Sequence, residues 1–320
     1  MIRTAESVSP MHPDKICDRI SDAIVDEYLK EDKTSRCAVE VMGGHELIQV
    51  MGEVTSNAKP DIREIVRRIA GNLECNIHLV TQSPEIAKGV DEGGAGDQGI
   101  SVGYACNENE ALMPQEHYLA RSLCRALYEL HPDDGKTQIT INEEGKVMAI
   151  VASWRGVSAA ALYKEVMAWI EKNNITFIKD AKIIMNAAGD WEKGGFDADT
   201  GLTGRKIVVD AYGTRVPVGG GAFSGKDATK VDRSGAYKAR QEAVRLLKER
   251  DAKEVTVYLA YAIGQAEPLQ ATAIIDGQEE SLDLERFKPQ VIIADLQLLE
   301  PIYEQTAEWG HFGNGFRWDS

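Results

Sequence analysis

The chain has 320 residues, of which 51 are acidic and 36 basic, and its 43% of hydrophobic residues can bury a core and exclude a disordered chain. Its net charge of −15 argues against broad binding to nucleic acid or an anionic membrane, because the field of the whole molecule repels phosphate. It has no apolar run of the roughly 20 residues that span a bilayer, no signal-peptide core and no CxxC pair among its five cysteines, so we predict a soluble, cytoplasmic, multi-domain protein.

The first predicted unit has the element order αββαβ. Its elements are a helix behind Pro13, β-like runs at 36–42 and 47–54, a helix behind Pro60 and a strand at 77–79. In the first helix Ile16, Ile20 and Ile24 recur at the helical period. Gly43-Gly44, between the two β-like runs, predicts a hairpin turn.

The same order restarts near residue 114 and again near residue 233. The predicted elements are a helix over 119–127, a hairpin of 137–142 and 146–154, a helix over 162–170, a strand at 181–187, a helix over 239–247 and strands at 254–263 and 271–275. The pattern predicts an α+β protein of three similar αββαβ-type domains, 1–85, 94–188 and 189–320, which we expect to exchange segments. The alternative is that this spacing is coincidental.

A glycine-rich, cationic segment interrupts this rhythm. Residues 193–240 hold ten of the 29 glycines, with nine Lys and Arg against five Asp. Gly219-Gly-Gly-Ala-Phe-Ser-Gly-Lys-Asp227 nearly matches a phosphate-binding P-loop, but Asp227 stands where a P-loop needs Ser or Thr. The near-match still favours a backbone and Lys226 that bind phosphate; the alternative is a glycine-rich turn with a solvated lysine.

Three further cations lie near Lys226. Arg205 and Lys206 follow a glycine turn, just before a predicted apolar strand at 207–209, and Lys230 follows Lys226 by four residues. Together the four side chains could clamp a polyphosphate. Asp199 and Asp232 lie among them, as expected for Mg²⁺ held by carboxylates and phosphate oxygens. A solvated network of salt bridges is the alternative.

Polar residues near the N-terminus form a second candidate cluster. His12-Pro13-Asp14-Lys15 opens the first helix, whose free N–H groups favour an anion; a simple helix cap is the alternative. Glu40 and Glu53 lie on predicted strands, where each either holds a cation or is an ordinary edge residue. A GxSxG hydrolase motif at 99–103 is rejected, because its residues alternate as a strand, and the histidines have no zinc-site spacing.

In chain order, these motifs resemble those of the S-adenosylmethionine synthetases, or methionine adenosyltransferases. The matching stretches are Glu6-Ser-Val, His12-Pro-Asp-Lys-Ile16, Gly93-Gly-Ala-Gly-Asp-Gln-Gly99, Gly201-Leu-Thr-Gly-Arg-Lys206, 219–227, Lys230-Val-Asp-Arg233, Tyr261-Ala-Ile-Gly264, Ala266-Glu-Pro268 and Gly310-His-Phe-Gly313. They run from residue 6 to residue 313, so the resemblance covers essentially the whole chain.

The resemblance implies three similar domains around a pseudo-threefold axis and a displacement reaction on ATP. Methionine sulfur would attack C5′ of ATP in line, and the released triphosphate would be cleaved to pyrophosphate and phosphate. The family uses Mg²⁺, two ions per site, and K⁺, and it builds its sites between two subunits, which implies at least a homodimer. A sulfur nucleophile without a proton to lose fits a site that has cations but no obvious general base.

The resemblance also implies roles for individual residues. The catalytic residues would be His12, Asp97, Lys136, Arg205 and Lys226. ATP would bind to His12, Asp134, Lys136, Trp191, Asp199, Arg205, Lys206, Ala222 and Lys226. Methionine would bind to Glu53, Gln82, Asp199 and Lys230. Asp14 and Asp232 would hold Mg²⁺, and Glu40 would hold K⁺.

The chain departs from the family pattern in several places. Asp190-Trp191 stands where the family has Arg-Phe; Trp191 can still stack on adenine, but Asp190 removes a cation. The family's gating loop, here between 83 and 94, is shortened, as are the stretch at 69–82 and the C-terminus. We expect a weakly gated site and a homodimer that forms no tetramer. The alternative function is a divergent ATP or polyphosphate sensor that has lost transfer activity.

Overall fold

Three four-stranded sheets organise the part of the chain that the computed structural model describes, residues 1–82 and 93–320. The strands are β1 (Arg3–Val8), β2 (Arg36–Gly44), β3 (Leu47–Thr55), β4 (Glu74–Val80), β5 (Gly99–Cys106), β6 (Gly135–Ile141), β7 (Val147–Trp154), β8 (Phe177–Met185), β9 (Gly201–Leu202), β10 (Glu254–Tyr261), β11 (Gln270–Ile275) and β12 (Gln278–Ser281). The helices are α1 (Pro13–Glu31), α2 (Ile62–Ala70), α3 (Gln115–Leu130), α4 (Ala159–Lys172), α5 (Ile207–Asp210), α6 (Val231–Arg250), α7 (Pro289–Asp295) and α8 (Tyr303–Trp309).

Each sheet contains one strand from a distant part of the sequence. The strand orders are β4-β3-β2-β9, β1-β6-β7-β8 and β12-β11-β10-β5. β1 precedes α1 but pairs with β6, β5 pairs with β10, and the short β9 pairs with the end of β2. Long helices pack on these sheets: α1 on β2, α3 on β1 and β6, and α6 on β5 and β10. Segments from opposite ends of the chain are therefore neighbours.

The αββαβ order is present at the predicted places in the first two units, whereas in the third α6 is followed by β10, β11 and β12 and then by α7 and α8. The isoleucines of α1 lie in the core. Ile20 and Ile24 are fully buried, as their helical spacing predicts. β1 was not predicted, because its polar residues Glu6 and Ser7 mask the alternation of a strand. The domain bounds drawn from the sequence remain a prediction.

The predicted hairpin turn at Gly43-Gly44 is wrong by two residues. Both glycines belong to β2, and the turn is made by His45 and Glu46, whose φ angles are 51° and 70°. A Cβ atom on Gly43 would lie 2.6 Å from the Phe196 ring. The sequence signal therefore reflects close packing against the strand, and non-glycine residues adopt the left-handed conformation of the turn.

The predicted apolar strand at 207–209 is also wrong, because these residues begin a single helical turn, α5. The N–H of Asp210 donates to the carbonyl of Lys206 at 2.8 Å, and Val208 is exposed. Three apolar residues are too few to distinguish a strand from a helical turn. No helix within 1–82 and 93–320 is both long and apolar enough to cross a bilayer.

Candidate active site

The N-terminus of α1 presents a neutral histidine. His12 is the N-cap of α1, and its Nδ1 accepts the N–H of Asp14 at 3.2 Å. Burial, and then the charge of Lys206, lower the pKa of His12 to about 4, so the ring is neutral at pH 7. A neutral ring that accepts at Nδ1 carries its proton on Nε2. His12 can therefore donate a hydrogen bond from Nε2 to an anion.

Asp14 connects this helix end to the cationic turn at 201–206. Its Oδ1 accepts the N–H of Leu202 at 2.9 Å and lies 3.2 Å from Arg205 Nε, and its Oδ2 lies 2.5 Å from Lys206 Nζ. Burial opposes ionisation, but the hydrogen bonds from Lys206 and Leu202 hold the pKa of Asp14 below its usual value. The carboxylate is thus charged and paired with two cations.

The start of β6 and the segment at 190–200 lie next to this end of α1. Lys136 Nζ lies 2.8 Å from Glu6 Oε2, and Asp134 Oδ2 accepts the N–H of Gly195 at 2.8 Å. Burial raises the pKa of Asp134. Asp199 is exposed, and with Lys136 it influences the pKa of His12, which indicates that these side chains are close to one another.

Trp191 extends this cluster. A Cβ atom on Gly194 would lie 2.5 Å from the Trp191 ring, so the indole packs directly on this backbone. We call the cluster the first set, and its members are His12, Asp14, Asp134, Lys136, Trp191, Asp199, Arg205 and Lys206.

A second set of candidate residues lies on the outer face of β2 and β3. The backbone of Lys226 pairs with Ala38 of β2, and Lys226 Nζ lies 2.7 Å from Asp232 Oδ2. Burial and the nearby charge of Glu53 raise the pKa of Glu40, while Lys226 opposes this shift. Glu40, Glu53, Lys226 and Asp232 therefore share one electrostatic environment.

The glycine-rich segment is shaped to contact Asp232. A Cβ atom on Gly221 would lie 2.1 Å from Asp232 Cγ. Ala222 lies against Gly204: a Cβ atom added to Gly204 would lie 2.6 Å from the Cβ atom of Ala222. The two glycine-rich loops therefore touch. Beside this contact is a cavity of about 370 Å³, lined by both loops, Arg205 and Lys206.

Asp227, the residue that departs from the P-loop pattern, has a structural role. Its Oδ1 accepts the N–H of Cys37 at 2.7 Å and lies 2.5 Å from Lys230 Nζ, and its Oδ2 accepts the N–H of Thr229 at 2.9 Å. The carboxylate therefore ties the loop to β2, and Lys230 is held in an ion pair. A P-loop hydroxyl would be free to bind a metal ion, so this geometry is not that of a P-loop.

The last two predicted residues stand beside the segment 83–92, which lies outside the described residues. Gln82 follows β4, and its Oε1 is buried and finds no hydrogen-bond partner in the described part of the chain. Asp97 precedes β5, is exposed, and accepts the N–H of Gln98 at 2.8 Å. The predicted gating loop falls within the undescribed segment.

The second set consists of Glu40, Glu53, Gln82, Asp97, Ala222, Lys226, Lys230 and Asp232. Across residues 1–82 and 93–320, no hydrogen bond or ion pair joins a side chain of the first set to one of the second. Each set combines carboxylates with cations and glycine-rich backbone, which suits part of a polyphosphate–metal site.

Sequence reasoning missed a row of buried aspartates on α1. Asp18, Asp22 and Asp26 follow Asp14 at intervals of four residues, and all four are buried. Each accepts backbone N–H groups from the second half of the chain. The available signal was an acidic residue at every fourth position of a helix in which Ile16, Ile20 and Ile24 recur with the same spacing. We call these four residues the aspartate ladder.

Asp190, which replaces a cation expected from the family pattern, stabilises α4. Its Oδ1 accepts the N–H of Ala159, the first residue of α4, at 2.8 Å, and the Nδ2 of Asn186 at 3.0 Å. Changing Asp190 to Ala should therefore lower the midpoint of denaturant unfolding, because α4 loses the acceptor at its first N–H.

We expect the Asp190→Ala variant to keep the turnover number of the reaction that the resemblance implies within about twofold, because the hydrogen bonds of its side chain go to Ala159 and Asn186, which belong to neither set. Denaturant unfolding and steady-state kinetics measure the two quantities, with Asp190→Asn as the control that keeps an acceptor oxygen. A large loss of turnover without a loss of stability would contradict this structural role.

Comparison with known proteins identifies relatives along the whole chain. Three family models match, described as the N-terminal, central and C-terminal domains of S-adenosylmethionine synthetase, at residues 1–86, 92–191 and 193–320. The S-adenosylmethionine synthase of Petrotoga mobilis is 38% identical over 98% of this chain and 94% of its own length. That of Desulforudis audaxviator is 39% identical over 98% of this chain and 93% of its own.

A solved structure has the same overall architecture. The structure described as an unusual S-adenosylmethionine synthetase from Campylobacter jejuni superposes with a TM-score of 0.88 at 31% sequence identity, over 100% of this chain and 96% of that one. The alignment with the Petrotoga relative runs over 378 positions, more than the 320 residues of this chain. Segments present in that relative are therefore missing here.

Proposed function

The chain belongs to the S-adenosylmethionine synthetase family, and we propose that it is a methionine adenosyltransferase, which transfers the adenosyl group of ATP to the sulfur of L-methionine. Its fold of three similar α+β domains is that of the family, so this prediction is confirmed. One observation carries the proposal: two glycine-rich loops each hold a lysine paired with an aspartate, Lys206 with Asp14 and Lys226 with Asp232.

The reaction requires orientation and charge stabilisation. The thioether of methionine has no proton to lose, so the site must align sulfur with C5′ and stabilise the triphosphate that leaves. His12, neutral and protonated on Nε2, is suited to donate a hydrogen bond to the leaving oxygen. Lys136, Arg205 and Lys226 would stabilise the negative charge, and would do so again when triphosphate is cleaved to pyrophosphate and phosphate.

The remaining assignments follow the positions of the two sets. In the first set, Trp191 would stack on adenine, Asp134 and Lys206 would complete the nucleotide contacts, and Asp199 would bind both nucleoside and methionine. In the second set, Ala222 would line the triphosphate pocket, and Asp97 would lie near the sulfonium that forms. The methionine contacts would come from Glu53, Gln82 and Lys230.

The carboxylates present fit the metal ions that the family uses. Within residues 1–82 and 93–320, no three metal-binding side chains form a cluster, so a metal ion would have to complete its ligands with substrate oxygens. Mg²⁺ binds in this way, through one or two carboxylates and phosphates, and would offset the charge of the triphosphate. Asp14 and Asp232 would each hold one such ion, which releases Lys206 and Lys226 to the phosphates. Glu40, whose pKa is raised by burial and by Glu53, would hold K⁺.

We further propose that two chains form a homodimer in which the first set of one completes the second set of the other. Met42 and Met51, two apolar side chains beside Glu40 on the outer face of β2 and β3, are 50% and 54% exposed. A second copy is the occupant that would cover these apolar side chains and bring the two separate sets together. We expect this homodimer to form no tetramer.

The dimer is tested by changing Met51 to Glu. A third carboxylate beside Glu40 and Glu53 should oppose burial of this face, so we expect monomers in sedimentation velocity and at least about a tenfold loss of turnover. Met167→Glu on α4, a methionine that is also exposed, is the matched control and should leave both unchanged. A Met51→Glu variant that remains dimeric would contradict the proposed interface, whereas a wild-type tetramer would contradict the separate prediction that the homodimer forms no tetramer.

The proposed reaction is tested by incubating the protein with ATP, L-methionine, Mg²⁺ and K⁺. We expect S-adenosylmethionine, pyrophosphate and phosphate in equal amounts, and none when Mg²⁺ is chelated. ATP binding without product would instead favour the sensor function. Two departures from the family pattern favour the sensor function: Asp190 and the shortened gating loop. The contacts of Asp190 with the start of α4 give this residue a structural role, and the loop falls outside the described residues.

A further inference from the structure

The aspartate ladder of α1 accepts backbone N–H groups from three later segments, and each of these bonds joins residues at least 186 positions apart. Asp14, Asp18, Asp22 and Asp26 are each at most 7% exposed. Buried carboxylates are costly unless hydrogen bonds and cations compensate them. Four buried carboxylates in one helix therefore indicate that the helix fixes the positions of the groups that compensate them.

The partners of three ladder residues belong to the cationic loops. Asp14 accepts the N–H of Leu202, Asp18 accepts that of Gly204 at 2.8 Å, and Asp22 accepts that of Gly225 at 2.9 Å. We propose that Asp18 and Asp22 are positioning residues, which set the places of Arg205, Lys206 and Lys226 without touching substrate. This inference rests on the proposed function, because it assigns these cations to the triphosphate.

Asp18 fixes both ends of the segment that carries Arg205 and Lys206. Its Oδ1 accepts the N–H of Gly204, and its Oδ2 lies 3.2 Å from Lys15 Nζ. Lys15 in turn lies 2.6 Å from Asp210 Oδ2, at the end of α5. Gly204 and Asp210 enclose the two cations, so a buried chain of charges spans the loop from one side to the other.

Asp22 fixes the backbone around Lys226 through Arg233. Arg233 and Asp22 form two parallel hydrogen bonds of 2.6 and 2.7 Å, and both side chains are fully buried. Arg233 also donates to the carbonyl of Lys226 at 2.9 Å. Asp22 accepts the N–H of Gly225, just before Lys226, and Arg233 donates to the carbonyl of Lys226 itself. The backbone is therefore fixed on both sides of the Lys226 side chain.

A helix is a suitable frame for this purpose. Positions four residues apart lie on the same face about 6 Å apart along the axis, so α1 anchors each loop rigidly within its own chain, Asp18 nearer His12 and Asp22 one turn further on. A displacement of about 1 Å in a positioned group can lower a rate by about 10²-fold. The ladder therefore acts on the rate through the geometry of the loops.

Asp26 provides a matched control within the ladder. It is buried on the same helix and accepts the N–H groups of Tyr303 and Glu304, each at 2.9 Å. Those residues begin α8, which carries no member of either set. Asp26 thus makes the same kind of contact to a segment that carries no site residue.

The experiment compares Asp18→Asn with Asp26→Asn. Both should reduce the midpoint of urea unfolding, because each replaces a buried acceptor oxygen by an amide NH2 group. Only Asp18→Asn should lower kcat, by about tenfold or more at saturating substrates, and weaken binding of inorganic tripolyphosphate measured by calorimetry. Asp26→Asn should keep both within about twofold.

Several outcomes would overturn the inference. Equal losses of kcat in the two variants would mean that the ladder acts only through stability, and unchanged tripolyphosphate binding and kcat in Asp18→Asn would remove its positioning role. Should Asp18→Asn fail to fold, Asp210→Asn loosens the same loop from its other end and is judged by the same criteria. Absence of turnover in the wild type would refute the proposed function, whereas the tripolyphosphate comparison would still test the positioning of the loops.

Discussion

Replacing Lys226 with Met is expected to lower kcat by about 10²–10³-fold, which corresponds to roughly 3–4 kcal/mol of lost transition-state stabilisation. Lys226 is the cation of the glycine-rich loop, and its ammonium group lies 2.7 Å from Asp232. Negative charge on the leaving oxygen develops during the reaction, so a fixed cation stabilises the transition state more than bound ATP. The loss should therefore appear in kcat more than in KM.

The backbone of Lys226 should survive this substitution. Its pairing with Ala38 and its carbonyl contact with Arg233 do not involve the side chain, so the loop remains in place. Lys238→Met is the matched control, because Lys238 is a buried lysine in a 2.5 Å ion pair with Asp295, outside both sets. Steady-state kinetics in which both variants lose kcat equally, or in which Lys226→Met loses none, would refute the role of Lys226.

Changing Asp14 to Asn is expected to reduce kcat/KM by at least about 10²-fold and to raise the Mg²⁺ concentration needed for half-maximal rate. Asn has the size of Asp but no charge, so it is a poor ligand for Mg²⁺. It also leaves Arg205 and Lys206 without the carboxylate that now compensates them. Both effects act on the same phosphates.

Magnesium titrations of the rate, with Asp26→Asn as a control at another buried aspartate of the same helix, separate these effects from a general loss of stability. The Asp26 variant should keep the wild-type magnesium midpoint, because Asp26 contacts the start of α8 only through backbone N–H groups. An unchanged midpoint in Asp14→Asn would show that Asp14 does not hold the metal ion.

Much of the fold was predictable from periodicity and turn residues. Pro13 and the isoleucines of α1 predict a buried helix, and alternation predicts the strands on either side of His45 and Glu46. The turn itself was misplaced, because Gly43 is required by packing against Phe196, a contact that no local pattern reveals. β1 was missed because Glu6 and Ser7 mask its alternation, and its pairing with β6, far along the chain, appears only in the structure.

The candidate site was predictable as a set of residue types but not as an arrangement. Glycines beside Lys206 and Lys226 indicate anion binding, because only backbone without side chains approaches a phosphate so closely. The structural roles of Asp190 and Asp227 could not be predicted from such local patterns. Each replaces a residue expected from a motif, and each has one partner in a distant element, the first residue of α4 for Asp190 and Cys37 of β2 for Asp227.

The sequence by itself determined the family, the order of the elements and the chemistry available: cations, carboxylates and glycines in loops of an otherwise acidic chain. Only the tertiary structure decided that these residues form two sets, and that Asp18 and Asp22 hold the loops that carry the cations. The physical reason is the range of the contacts. Helical periods and turn motifs involve residues a few positions apart, whereas the bonds from α1 to these loops join residues that are 186 and 203 positions apart.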